Sequence, residues 1–142
     1  VLIGILPVIP FLVMSNYIKF VDKVTSHESK SWESFVGRLV TLHDEGFVPQ
    51  RTMTAAIGLA SEAGEFSEIV KKIIFQGKPF TDETKDHMKK ELGDCLWYIA
   101  QACMALGLSF DDLFNSNIEK LSSRYPGGFD AFISENKKED DV

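Results

Sequence analysis

The spacing of its apolar residues is the feature that most restricts how this chain can fold. In the segment that contains Phe35, Val36, Leu39 and Val40, apolar residues recur every three or four positions. That repeat places apolar side chains on one face of a helix. After the first thirteen residues, no segment alternates polar and apolar residues for long enough to predict a strand. The sequence therefore predicts an all-α fold.

Glycine, proline and capping residues divide the chain into helices. Gly46 and Pro49 are expected to end the first helical region, because glycine and then proline are typical of helix C-termini. Thr81 is a candidate N-cap, and Ser109 with Asp112 resembles a capping box. The predicted helices cover residues 16–45 (with a break near 25–30), 52–75, 81–107 and 109–125. Four to five helices joined by short connections predict an antiparallel helical bundle.

The two ends of the chain are expected to lie outside this bundle. Residues 1–13 are apolar and contain two prolines, but they are too few to span a membrane and lack the basic start of a signal peptide. We expect a non-native or disordered leader there; the alternative is an apolar arm that docks on a neighbouring subunit. Residues 14–134 are expected to form a single domain. The charged segment after Phe132 is expected to fray, with a flexible tail over residues 135–142.

The net charge of −6 argues against binding to a nucleic-acid polymer or an anionic membrane, because both require a basic surface. Cys95 and Cys103 are eight residues apart on one predicted helix, or roughly 12 Å along its axis. Disulfides require Cα atoms within about 7 Å. We interpret both cysteines as small buried residues in a reducing compartment, and expect the protein to be cytoplasmic.

Two successive predicted helices each carry a pair of acids three residues apart: Glu62 with Glu65, and Glu91 with Asp94. Acids at this spacing lie on one helical face. The short connection should make the helices antiparallel neighbours, so the four carboxylates would gather in one place. Carboxylates in contact repel and raise one another's pKa unless a cation is bound. A set of oxygen ligands favours Mg²⁺, Mn²⁺ or Ca²⁺ over zinc.

Each acid pair adjoins a glycine, Gly64 or Gly93, although glycine inside a helix costs about 1 kcal/mol relative to alanine. One explanation is that these glycines let a second helix or a ligand approach closely. The alternative to a metal site is a solvated acidic face. A di-iron centre requires Glu-x-x-His on two helices, and His87 follows Glu83 by four residues, so that centre is excluded.

The acid pairs belong to three longer segments: SEAGEFSEIVKKIIFQGKP, KKELGDCLWYIA and NIEKLSSRYPGGF, within residues 50–130. Together they resemble the MazG-like all-α nucleoside triphosphate pyrophosphohydrolases. The resemblance implies Mg²⁺-dependent hydrolysis of an NTP or dNTP to the monophosphate and diphosphate, with Mn²⁺ as a possible substitute. It also implies a homodimer or homotetramer. Glu62, Glu65, Glu91 and Asp94 would bind the metal, and Glu62 or Glu65 would be the catalytic base.

The resemblance also suggests substrate-binding residues. Asn117, Lys120 and Arg124 share one face of the fourth predicted helix and would contact the substrate phosphates, as would Lys78. Tyr98 would stack on the base. The alternatives are a solvated polar stripe for the first three residues and a half-buried bundle aromatic for Tyr98.

Glu68 continues the spacing of Glu62 and Glu65 but has no acidic counterpart on the next helix. We interpret it either as a surface residue or as a residue that supports the metal ligands from behind, and we expect Lys71 and Lys72 to be surface charges paired with it. Two other functions remain open. One is the phosphoribosyl-ATP pyrophosphohydrolase reaction, which the same fold supports, and the other is a non-catalytic helical partner in regulation or assembly.

Overall fold

The computed structural model describes residues 11–136, and of residues 11–14 only the backbone. This part of the chain contains helices and no strand, so the prediction of an all-α fold is confirmed. Its helices are α1 (Phe11–Val24), α2 (Trp32–Asp44), α3 (Pro49–Gln76), α4 (Asp82–Leu106), α5 (Phe110–Arg124) and α6 (Ala131–Glu135). None of these six helices is long and apolar enough to cross a membrane.

The chain divides into two compact units between Gly46 and Phe47. In the first unit, the predicted break near residues 25–30 is confirmed by the connection between α1 and α2. Lys30 Nζ donates to the carbonyl of Asp22 at 2.7 Å, and the hydroxyl of Ser31 accepts from the Ser34 amide to cap α2. The leader predicted over residues 1–13 lies mostly outside the described residues, and residues 11–13 belong to α1.

In the second unit, Pro49 begins α3 instead of ending the preceding region as predicted. Proline fits the first helical turn, because the amide that it lacks would have no partner there. At the other end of α3, Gly77 adopts a left-handed conformation with φ 67°, and the amides of Gly77 and Lys78 both donate to the carbonyl of Lys72. The five residues 77–81 complete the turn into α4.

Capping residues fix the next boundaries as predicted. The hydroxyl of Thr81 accepts from the Thr84 amide at the start of α4. Ser109 and Asp112 form a reciprocal capping box at the start of α5. The segment after Phe132, which was predicted to fray, is helical up to Glu135 and belongs to α6. There the carboxylate of Asp130 accepts from an amide of the first turn and so satisfies a free helix-end donor. The rest of the predicted tail, from residue 137, lies outside the described residues.

Helices α3 and α4 form an antiparallel hairpin, the one extended helix-to-helix contact among the described helices. Three contacts show that the two helices of this hairpin run in opposite directions. Arg51 Nη1 lies 2.9 Å from Met104 Sδ, Gly58 packs against Tyr98, and Glu62 hydrogen-bonds to Glu91. As the residue number rises along α3, it falls along α4. The hairpin thus brings the two acid pairs to the same level, as predicted.

A single copy of the chain buries little apolar surface. Among the residues whose side chains are described, the buried apolar ones are Pro49, Ala55, Ile69 and Cys103, and both cysteines are free. Large apolar side chains remain exposed on all six described helices, including Phe75 (80 %), Leu96 (54 %) and Phe114 (57 %). An open groove of about 530 Å³ is lined by the apolar side chains Phe66, Phe80, Met88 and Leu92 and by the charged residues Asp82, Lys85, Asp86 and Lys89.

Candidate metal centre and active site

Three of the four predicted carboxylates converge at the centre of the hairpin. Each of Glu62, Glu65 and Glu91 offers one carboxylate oxygen, and these oxygens all lie within 4.8 Å of one another. Glu62 and Glu65 come from α3, and Glu91 comes from the facing turn of α4. The i, i+3 spacing places the first two on one face, and the antiparallel packing supplies the third.

Asp94 lies outside this group of three oxygens, and its side chain is exposed. It is nonetheless near enough for its charge to raise the pKa of Glu62. Its predicted position on the same side of the hairpin as Glu62 agrees with that electrostatic effect. Whether it binds a metal stays a prediction.

The close placement of these acids changes the pKa of Glu62. Partial burial raises the pKa of Glu62 above its ordinary value, and the charges of Glu65, Asp94 and Glu91 raise it further. A hydrogen bond between the side chains of Glu62 and Glu91 acts in the same direction, because two carboxyl groups can share one only when a proton lies between them. The neighbouring acids of the metal-free cluster therefore favour the protonated form of Glu62.

Glu91 is the buried member of the cluster, with 8 % of its side chain exposed. One of its oxygens, Oε1, lies 2.8 Å from Nε2 of His87, which is one turn earlier on α4. His87 was considered above only as a di-iron ligand, and its contact with Glu91 was not predicted. The signal that would have revealed it is the spacing of four residues between His87 and Glu91, which puts them on one helical face.

The residues present fit a hard divalent cation. Three carboxylate oxygens from two helices form a set of ligands typical of Mg²⁺, Mn²⁺ or Ca²⁺, and no sulfur ligand is among them. A cation at this point would also remove the repulsion that raises the pKa of Glu62. The arrangement is thus suited to hold a divalent metal ion.

Comparison with known proteins points to the same chemistry. The family model of the MazG nucleotide pyrophosphohydrolase domain matches residues 50–129, which include α3, α4 and α5. The chain belongs to the MazG family. The MazG domain lies within the second compact unit and contains all four predicted carboxylates.

A curated relative is the Gene 37 protein of Mycobacterium phage L5. The two are 38 % identical over 73 residues, which amount to 51 % of this chain and 64 % of the relative. The match therefore covers less than two thirds of the relative's own length. No solved structure was found to match the chain.

The glycines of the MazG domain differ in what surrounds them. Nothing in the described chain lies within 4 Å of a Cβ built at Gly64 or at Gly93. The interpretation that these two let α3 and α4 approach each other is therefore wrong, and the space beside them is open to a ligand. The close approach occurs at Gly58, where a Cβ would overlap the ring of Tyr98.

Tyr98 lies one turn beyond Asp94 on α4 and is half-buried. It packs edge-to-face with Trp97, with ring centroids 4.8 Å apart and an interplanar angle of 89°. Since Gly58 is one turn before Glu62, the Tyr98 ring lies next to the carboxylates along the hairpin. This placement is compatible with the predicted contact to a base, which stays a prediction.

The predicted phosphate-binding residues of α5 are not part of the carboxylate group. Asn117 and Lys120 are exposed, and the guanidinium carbon of Arg124 lies 5.8 Å from the ring centroid of Tyr125. Within the described residues α5 makes no extended contact with α3 or α4. Lys78, directly after α3, is also exposed.

Glu68 pairs with Lys71 and with Lys72, whose Nζ is 3.2 Å from Glu68 Oε1. Hydrogen bonds from these two lysines lower the pKa of Glu68, the opposite of the shift at Glu62. The predicted pairing of Glu68 with Lys71 and Lys72 is confirmed. Glu68 is therefore a suitable control for substitutions of the clustered acids.

Proposed function

We propose that this protein is a Mg²⁺-dependent nucleoside triphosphate pyrophosphohydrolase that cleaves (d)NTP and water to (d)NMP and diphosphate. The observation that carries the proposal is the convergence of Glu62, Glu65 and Glu91 on one point within a MazG domain. Such an enzyme would remove unwanted nucleotides from the cellular pool, and a cytoplasmic location is part of the proposal.

The carboxylates would have separate tasks. Glu62, Glu65, Glu91 and Asp94 would hold Mg²⁺, with Mn²⁺ as a substitute. The bound ion would neutralise the triphosphate and polarise the α-phosphorus. Glu62 or Glu65 would accept a proton from the attacking water, and diphosphate would leave in line with the attack.

The substrate contacts proposed from the resemblance are the phosphate ligands Asn117, Lys120, Arg124 and Lys78, and the base contact Tyr98. Because α5 does not pack along α3 or α4 in one chain, we propose that a second copy supplies its polar face to the carboxylates. The exposed apolar side chains and the 530 Å³ groove support a homodimer or homotetramer. Apart from the metal ion, a nucleotide is the only non-protein partner proposed.

The test measures diphosphate and monophosphate released from each of the NTPs and dNTPs in the presence of Mg²⁺. Glu62→Gln and Glu65→Gln remove clustered acids, and Glu68→Gln removes an acid that is paired with lysines instead. We expect turnover by the wild type and by Glu68→Gln, and losses of about 10²–10⁴-fold in a variant that lacks the general base.

The same panel includes phosphoribosyl-ATP. Turnover of that compound alone would replace the proposed substrate class with the histidine-pathway reaction. If no compound is hydrolysed, while Glu91→Gln gains stability, the protein is a non-catalytic helical partner and the proposed function is wrong. If both Glu62→Gln and Glu65→Gln retain full turnover at saturating Mg²⁺, neither glutamate is the catalytic base.

A further inference from the structure

The contact between His87 and Glu91 joins the most exposed and the most buried parts of the carboxylate site. Nε2 of His87 lies 2.8 Å from Oε1 of Glu91, while 59 % of the His87 side chain and 8 % of the Glu91 side chain are exposed. Only the end of the imidazole reaches the cluster. A neutral imidazole can donate through Nε2, so this hydrogen bond does not require a charged histidine.

Helix stabilisation accounts for this pair less well than for the other ion pairs of α3 and α4. The other ion pairs within α3 and α4 place the acid first: Glu68 precedes Lys71 and Lys72, and Asp86 precedes Lys89 and Lys90. That order is the favourable one, because it agrees with the helix dipole. The pair of His87 and Glu91 has the reverse order, with the base before the acid.

Because of the position of Glu91, its hydrogen bond with His87 affects the orientation of a carboxylate in the cluster. Glu91 is the single ligand candidate on α4 in the group of three, and it faces two other carboxylates across the hairpin. Repulsion among these groups favours side-chain conformations that point away from one another. A donor fixed to Oε1 holds the carboxylate of Glu91 in place, while its other lone pairs remain free to accept a proton or a metal ion.

We infer that His87 is a positioning residue that holds the Glu91 carboxylate, through its Nε2–H···Oε1 hydrogen bond, in the orientation that binds a divalent cation. The inference rests on the proposed function, in that it takes Glu91 as a metal ligand. Partners that hydrogen-bond to metal-binding carboxylates typically affect metal affinity more than protein stability. His87 is so exposed that its replacement leaves the packing of the hairpin intact.

The test measures how tightly the wild type and its variants, each as the full chain without nucleotide, bind Mn²⁺. Binding is measured by calorimetry and by the paramagnetic resonance signal of free Mn²⁺. His87→Leu removes the donor, and His87→Gln keeps an amide donor at a similar reach. His43→Leu is the matched control, since His43 is also exposed on a helix, 3.7 Å from Asp44. We expect His87→Leu to weaken Mn²⁺ binding by about tenfold. We expect His87→Gln to restore most of the affinity and His43→Leu to bind as the wild type does.

One kinetic measurement and one stability measurement distinguish a positioning role of His87 from other roles. In His87→Leu, the Mg²⁺ concentration for half-maximal turnover should rise by about the same factor, while kcat at saturating Mg²⁺ stays near that of the wild type. Its urea midpoint should be unchanged. The inference is overturned if His87→Leu binds Mn²⁺ as the wild type does. It is also overturned if both His87 variants lose affinity equally, which would make the imidazole itself a ligand.

These outcomes are distinguishable from failure of the proposed function. A wild type that binds Mn²⁺ but hydrolyses no nucleotide contradicts the proposed function, and the Mn²⁺ titrations still decide the role of His87. A wild type that binds no Mn²⁺ overturns both.

Discussion

Gly58 of α3 lies against the ring of Tyr98 of α4, so closely that a Cβ atom at position 58 would overlap the ring. This contact sets the distance between the two helices one turn away from Glu62. A larger residue would force the Tyr98 ring or the helix axis to move. The carboxylate site therefore depends on a glycine that is not itself part of it.

The first prediction is that Gly58→Ala destabilises the protein by about 1–3 kcal/mol, because the added methyl group overpacks the contact with Tyr98. Urea unfolding monitored by circular dichroism measures the effect. Gly64→Ala is the control, since nothing lies within 4 Å of its added Cβ. It should instead stabilise the helix by up to about 1 kcal/mol. Equal effects of the two substitutions would show that the Gly58 contact is not tight.

The second prediction concerns pH in metal-free protein. Because the pKa of Glu62 is raised above 4.5 in the folded state, the folded state binds more protons, and stability falls as pH rises from 4.5 through the raised pKa. Glu62→Gln removes this loss. The variant should be more stable than the wild type at neutral pH, and the difference should disappear below pH 4.5.

The change in stability caused by Glu68→Gln at neutral pH should have the opposite sign to that caused by Glu62→Gln. The pKa of Glu68 is lowered, so its carboxylate stabilises the folded state above pH 4.5, and this contribution is lost as pH falls through the lowered pKa. At neutral pH the substitution should reduce stability. Thermal unfolding in chelator across both pH ranges measures the two variants together, and shifts of the same sign would contradict the electrostatic account.

The third prediction is that divalent cations stabilise the folded protein. At a cation concentration 100 times the Kd, binding to the folded state alone contributes about 2.7 kcal/mol. Differential scanning fluorimetry with Mn²⁺ or Mg²⁺ should therefore show a rise in Tm. Glu91→Gln should abolish that rise, because it removes the buried ligand candidate, whereas Glu68→Gln should retain it. A rise that persists in Glu91→Gln would place the cation elsewhere.

The fourth prediction tests the start of α5. Ser109 and Asp112 form a capping box, in which the Ser109 hydroxyl accepts from the Asp112 amide at 3.2 Å. Ser109→Ala should cost about 1 kcal/mol of stability, as measured by urea unfolding. Ser116→Ala is the matched control in the exposed middle of the same helix, where alanine is the better helix former. A cost at Ser116 equal to that at Ser109 would rule out a capping effect.

Local sequence signals predicted the helices of the second unit well. The caps at Thr81 and Ser109 depend on residues within a few positions, so that the sequence alone identifies them. Pro49 was misassigned because proline occurs both after a helix and in its first turn, and local sequence does not separate the two. The short helix α6 was missed because five residues hold too few apolar positions to show a period.

The candidate site was predictable where the contact follows from spacing along a helix. Glu62 and Glu65 share a face for that reason, and the short turn after α3 brought Glu91 to the same level. The contact of Gly58 with Tyr98 depends on the exact register of two helices, which spacing does not give. The predicted contribution of Asn117, Lys120 and Arg124 depends on how α5 is placed, and the packing within one chain does not bring α5 along the hairpin.

The antiparallel hairpin also limits how the number of residues between the two acid pairs can vary during evolution. Extending the hairpin lengthens both helices, and each must gain a whole turn for its acids to keep facing the other helix. Insertions within the helices should therefore come in steps of about seven residues, or two turns in all. Insertions into residues 77–81 have no such restriction, because a longer loop leaves the facing turns where they are. Relatives of different length should consequently differ either in this loop or by multiples of two helical turns.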